Sequence, residues 1–315
     1  MKRKQCAMAT LIFLIALSSI GAEDGITFST DLGLQVSSRP EAKLSVTQSF
    51  IFPFMRFDGP LTRDNTIKAA LTAELSPLSV NGLAEITWTP IAFLQIIAGG
   101  KLGSGWNMPL GKGIGINTDS ETGTAEPHKQ SIEGDPFEGL FSSAWGGGAI
   151  QFDLAAVLPG SWNHLVFRSY QGINYRSFSG AADGQSWIFE NDDAENRNGL
   201  VYSANYLLGY QMPSSPVINT VGLMAEVEQY LYNTPGGGKW GDGLGRWIFS
   251  TLFNFTITKE FSAALILQMR TRRNYGDSDY ENTREMFYQS RTIDRDDPYR
   301  LVFYRAAALL TLKLH

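Results

Sequence analysis

The chain has 315 residues, a net charge of −5 and one cysteine. An acidic balance with low helix-forming content argues against a nucleic-acid binder, and a lone cysteine cannot build a disulfide framework. Past the N-terminus, no segment has the continuous apolar run of a transmembrane helix, yet the chain carries 19 Phe and 7 Trp, so its hydrophobicity must be distributed in another pattern.

The N-terminus reads as an address. Met1-Lys2-Arg3-Lys4 is basic, Ala7 to Leu17 is a short apolar core, and Ser18 to Ala22 ends in small residues. This is the pattern of a secretory signal peptide over residues 1–22 with cleavage after Ala22, because the apolar run is too short to span a bilayer. Cys6 lies in the removed segment and does not follow the apolar core as a lipid-modified cysteine would. The expected mature domain, 23–315, therefore holds no cysteine, and a cysteine-based metal site is excluded.

From there the chain alternates with a period of two, the signature of strands with one apolar and one wetter face. Gly25 to Ser37 carries Phe28, Leu32, Leu34 and Val36 on one face. Lys43 to Phe57 follows, with Pro53 marking a bulge or the strand's end because it removes a ladder donor. Thr66 to Leu75 and Leu83 to Thr89 are the next two, and Thr89-Pro90 reads as a minimal turn into Ile91 to Leu102. The pattern then stops over Gly103 to Ser143, a polar, glycine-rich stretch. It resumes over Ala144 to Leu158, turns at Pro159-Gly160-Ser161, and continues through His164 to Phe178. A second polar loop, Ser179 to Gly199, precedes Leu200 to Met212 and, after Pro213 to Pro216, Val217 to Tyr232. Thr234 to Gly245 is glycine-rich.

The clearest unit is the hairpin Arg246 to Arg273. Trp247, Phe249, Phe253 and Phe255 alternate with Ser250 and Asn254; after a Thr258-Lys259-Glu260 break, Phe261, Leu265, Leu267 and Met269 alternate with Gln268, Arg270 and Arg272. Strands of about ten residues are what a tilted bilayer crossing needs. Asn274 to Tyr299 is charged loop, and Arg300 to His315 closes the chain with Val302, Tyr304, Ala306, Ala308, Leu310, Leu312 and Leu314 in phase. The count is about twelve strands, with ten or fourteen if a segment is misassigned. Tight turns alternate with long loops from the fifth strand onward, a sidedness that a globular sandwich has no reason to show. The fold expected is an all-β, antiparallel up-and-down transmembrane barrel.

In its export signal, strand period, turn and loop alternation and closing strand Leu301 to Leu314, the chain resembles bacterial outer-membrane β-barrel proteins as a class. That resemblance implies contact with outer-membrane lipid, insertion by the barrel-assembly machinery and both termini in the periplasm. The C-terminal Leu312-Lys313-Leu314-His315 departs from the terminal aromatic that such proteins usually present for assembly.

Charged residues fall on the non-lipid phase: Lys68, Glu74, Glu85, Asp153, Arg168, Glu226, Glu228, Arg270, Arg272 and Arg305. An ionised group facing lipid at mid-depth costs a few kcal/mol. These ten are the expected lumen lining, either a salt-bridge filling or a selective wall. A catalytic site is not expected: His128 lies in a loop, His164 near a turn and His315 at the terminus, too dispersed for a nucleophile–base pair. Neither Asp192, Asp193 and Glu195 nor Asp277, Asp279 and Glu281 has calcium-loop spacing, and Gly111 to Gly115 lacks the Lys-Ser/Thr of a phosphate loop. No cofactor or metal is expected. The leading function is passive diffusion of small hydrophilic solutes. The alternatives are a filled barrel that binds partners through its loops, or a transporter of hydrophobic compounds opening laterally at Gly99-Gly100 and Gly146 to Gly148.

Overall fold

A computed structural model describes residues 25–39, 41–109, 111–119, 130–160, 162, 164–182, 184–190, 192, 195–212, 217–231, 241–275 and 293–314. The expected signal peptide, His128, His315, Asp193 and the Asp277–Glu281 cluster lie outside them.

Twelve strands close one antiparallel barrel. They are β1 (Thr27–Ser37), β2 (Ala42–Pro53), β3 (Thr66–Leu75), β4 (Ser79–Ile91), β5 (Leu94–Gly105), β6 (Phe141–Asp153), β7 (Leu165–Phe178), β8 (Gly199–Gln211), β9 (Ile218–Tyr230), β10 (Arg246–Thr256), β11 (Phe261–Arg273) and β12 (Tyr299–Lys313). Each pairs with its sequence neighbours, and β1 pairs with β12, with Leu34 opposite Leu310. Closure satisfies every strand edge, the condition for a sheet to sit in hydrocarbon.

Alternation puts large apolar side chains outside. Ile86, Ile150, Phe167, Leu208, Leu223, Phe249, Leu265 and Phe303 are all exposed on the outer wall, where water would penalise them and lipid does not. The barrel is thus of the outer-membrane type. Leu223, mid-strand in β9, is 60% exposed. Replacing it with Arg is expected to cost about 2–4 kcal/mol of barrel stability, measurable by denaturant titration of the protein folded in liposomes.

Three local expectations change. Thr89-Pro90 is not a turn: both residues stay in β4, and the turn is at Ala92-Phe93. The β4–β5 register slips between Trp88 and Ile91, since Pro90 has no N–H to offer the ladder. β6 ends at Asp153 rather than Leu158, because Leu154–Ala156 forms a 3-10 turn whose Ala155 N–H donates to Asp153 Oδ1. In β12 a register shift opposite Gln268–Met269 inverts the outer end of the strand. Phe303, 60% exposed, faces out, while Tyr304 turns inward beneath the Arg270 guanidinium, 4.3 Å from its ring centre. A bulge inserts one residue and so flips the phase of what precedes it.

The rim at which β1 begins and β12 ends has compact connections, such as the Thr258 turn, where the Thr258 hydroxyl accepts from the N–H groups of Glu260 and Phe261. Its longest is residues 54–65, which follow Pro53 at the end of β2. The opposite rim carries the long loops β5–β6, β7–β8, β9–β10 and β11–β12. The first two are not shapeless. Ile114–Asp119 pairs with both Gln130–Glu133 and Trp187–Phe189 in a small sheet, cored by Ile114, Phe141, Phe178, Trp187 and Phe189. Gly113 lets this sheet seat on the barrel rim: a Cβ there would collide with the carbonyl oxygens of Leu78 and Trp106.

Candidate functional site

The β7–β8 loop turns into the barrel mouth instead of away from it. Its footing is apolar: Phe189 stacks on Phe141 at 4.3 Å, and Trp187, 1% exposed, packs against Phe178 at 5.8 Å. Asn198 fastens the base, accepting from Phe178 N–H (2.7 Å) and Trp187 Nε1 (3.0 Å) while donating to the carbonyls of Phe178 and Ala181. With Phe189 locked, the chain reverses at Glu190, whose φ of 54° is a left-handed value that only surrounding contacts sustain in a non-glycine residue.

Those contacts lie on the β2–β5 wall. Glu190 accepts from Ser79 Oγ (2.7 Å) and Asn81 Nδ2 (2.6 Å) and pairs with Lys43 (3.2 Å) and Lys101 (3.1 Å). Glu74 pairs with the same two lysines at 3.2 and 3.3 Å. The result is a square of two ammonium and two carboxylate groups, with Lys101 also over the Phe189 ring at 5.5 Å. Burial opposes ionisation of Glu190, but the charges of Lys101 and Lys43 and the Ser79 and Asn81 hydrogen bonds outweigh it and hold the carboxyl at about 2.

The returning half of the loop is tied to the opposite wall. Arg197, fully buried, donates to the carboxylate of Asp242, which is buried as well. Arg273 reaches Glu195 at 3.4 Å, and Arg246 bridges Glu195 (3.6 Å) and Glu228 (3.1 Å). Arg176 grips Glu228 with two N–H groups. Tyr230 donates its hydroxyl to the Glu195 carbonyl at 3.0 Å.

Glu190 is therefore anchored on one wall and Glu195–Arg197 on the other, with Asp192 and Asn196 between two chambers, about 500 Å³ beside β1–β7 and about 430 Å³ beside β7–β12. Arg176, Asp192, Asn196 and Tyr304 line both.

The ten expected lining residues divide accordingly. Glu74 belongs to the lysine square and Glu228 to the arginine anchor. Glu226, Arg270 and Arg272 border the second chamber. Arg305 borders the first, donating to Glu41 (2.8 Å) and to Gln268 (2.6 Å); Gln268 in turn donates to Ser250 at 2.9 Å. Deeper, Glu85 accepts from Trp145 Nε1 at 3.3 Å and Arg168 reaches Gln95 at 3.4 Å. Lys68 stands on the inward phase of β3, near its start and away from both chambers. Asp153 is at the terminal rim, where it contacts His164 Nδ1 at 2.9 Å and caps the turn; it borders neither chamber.

Glu190, Arg197 and Asp242 were not visible beforehand, because loop residues have no phase to read. Lys43, Lys101 and Arg176 are also absent from the expected lining, although they occupy the inward phase of β2, β5 and β7, where carrying the parity through every strand finds them.

No protein-family model matches the chain, and neither does any curated protein. Among solved structures, it is similar to the KdgM porin at 8% identity and a TM-score of 0.37, covering 91% of this chain and 99% of that one. It is similar to OmpT, an outer membrane protein of Vibrio cholerae, at 5% identity and 0.34, covering 93% and 98%. For the anion-selective porin from Comamonas acidovorans the values are 8% and 0.27, covering 93% and 100%. This likeness is one of architecture.

Proposed function

We propose that the chain is an outer-membrane channel through which small hydrophilic solutes diffuse, narrowed at its mouth by the loop segment that carries Glu190, Asp192 and Asn196. The observation that supports this reading is the pair of polar chambers left on either side of that segment, within a barrel whose interior carries charge and whose exterior is apolar. Among the described residues there is no α-helix to fill the lumen. The termini lie on the periplasmic side and the long loops outside, with residues 1–22 removed on export. Purified protein in planar bilayers is expected to give discrete current steps in potassium chloride; silence at all voltages overturns the proposal.

The acidic anchor sets a pH dependence. A carboxyl lowered from 4.5 to about 2 contributes fully to holding the loop above 4.5, and that contribution is lost as pH falls through about 2. Conductance is therefore expected to stay level from pH 7 to 5 and to change progressively as pH falls from 4.5 to about 2, where the anchored Glu190 protonates. A step near pH 6 would point to a different titrating group.

A further inference from the structure

The lumen wall of β5–β7 is glycine-rich, and the glycines do not open it. The β5–β6 ladder runs without a register shift through Gly99, Gly100 and Gly146 to Gly148, and β6–β7 does the same through Gly147 and Gly172. What they leave bare is occupied by two aromatic rings. The Trp145 indole lies directly on Gly99: a Cβ there would stand 2.5 Å from Cζ2 and 2.6 Å from Cε2. The Tyr170 hydroxyl end lies over Gly147 and Gly172, 2.7 Å from where a Cβ of Gly147 would be. Both rings are thereby laid along the wall instead of projecting across the lumen. Trp145 keeps its orientation by donating Nε1 to Glu85. Trp145 borders the first chamber and Tyr170 the second.

We infer that Trp145, with Tyr170 beyond it, is a stacking platform for the pyranose rings of neutral sugars. A flat ring backed by bare peptide offers its negative face to the polarised C–H groups on one side of a sugar ring. The neighbours supply directional groups for hydroxyls: Asn174, which accepts from Ser143 at 2.7 Å, and Arg176. The charged groups of the first chamber are engaged by partners: Lys43 and Lys101 by Glu74 and Glu190, Arg305 by Glu41, Arg176 by Glu228, and Asp192 by the Asn196 amide. A neutral polyhydroxylated ligand fits that balance; an anion or cation would have to break a pair.

This assignment rests on the channel reading for access, and the two are tested apart. Isothermal calorimetry on the folded barrel in detergent, with maltotriose, cellotriose and xylotriose, is expected to show binding of at least one. Trp145→Ala should weaken that binding by about tenfold or more, and Tyr170→Ala by less. Gly99→Ala keeps the indole but lifts it from the wall, and its Cβ also presses on the Ala84 carbonyl at 2.8 Å; weaker binding is expected, read against heat-modifiable migration to show that the barrel still closes. No heat with any of the three sugars, or equal affinity in Trp145→Ala, overturns the platform. Tighter binding of a uronic-acid trisaccharide than of its neutral counterpart overturns the neutral class. Binding without current in bilayers leaves the platform standing and removes the channel.

Discussion

Replacing Glu190 with Ala is expected to raise single-channel conductance about twofold, because the segment that narrows the mouth is released from the β2–β5 wall. Four groups converge on this carboxylate from β2, β4 and β5, namely Lys43, Ser79, Asn81 and Lys101. They hold a left-handed residue that costs on the order of 1–3 kcal/mol to maintain. Without the carboxylate, the contacts that kept this segment against that wall are gone and the backbone strain is relieved by release. The barrel does not depend on them, because the ladders of β2–β5 are complete without the loop. Glu190→Gln separates charge from shape: it keeps an acceptor for Ser79 and Asn81 but leaves two lysines sharing Glu74. Conductance between wild type and Glu190→Ala is expected, with reversal potentials shifted toward anions in both. Wild-type conductance in Glu190→Ala would show that the constriction is held elsewhere.

The second large effect is on the opposite anchor. Arg197 and Asp242 form an ion pair with side chains 0% and 2% exposed. Removing Arg197 leaves the buried Asp242 carboxylate to the longer Arg273 contact at 3.9 Å, at a cost of up to about 3–5 kcal/mol. That exceeds what a loop with one small apolar footing holds in reserve, so Arg197→Ala is expected to open the loop and not the barrel. Hydrogen exchange and limited proteolysis should rise over residues 179–199 while heat-modifiable migration is unchanged. The double change Arg197→Met with Asp242→Leu removes both charges and is expected to recover most of the protection, since an apolar pair of similar volume needs no counter-charge. Protection that stays at the wild-type level in Arg197→Ala would place the loop's support in the Glu195 arginines instead.

How much of this was legible beforehand follows from what a strand encodes. The hairpin β10–β11 was readable in full, because Phe249, Leu265 and Leu267 face out and Ser250 and Gln268 face in, as a period of two requires. Strand count and the difference between the two rims came from the same alternation. Parity failed where one residue was inserted, at Tyr304, and where proline left the ladder, at Pro90. Neither bulge changes composition, so neither announces itself in the residues.

The sequence by itself determined the barrel, its apolar exterior and its charged interior, since each follows from local alternation and the penalty for charge in lipid. Only the tertiary structure decided that Trp187–Glu190 and Glu195–Arg197 fold back into the mouth. That depends on Phe189 finding Phe141, Glu190 finding Lys43 and Lys101, and Arg197 finding Asp242. These partners are far apart in the chain and share no period, and only the closed ring brings them within reach.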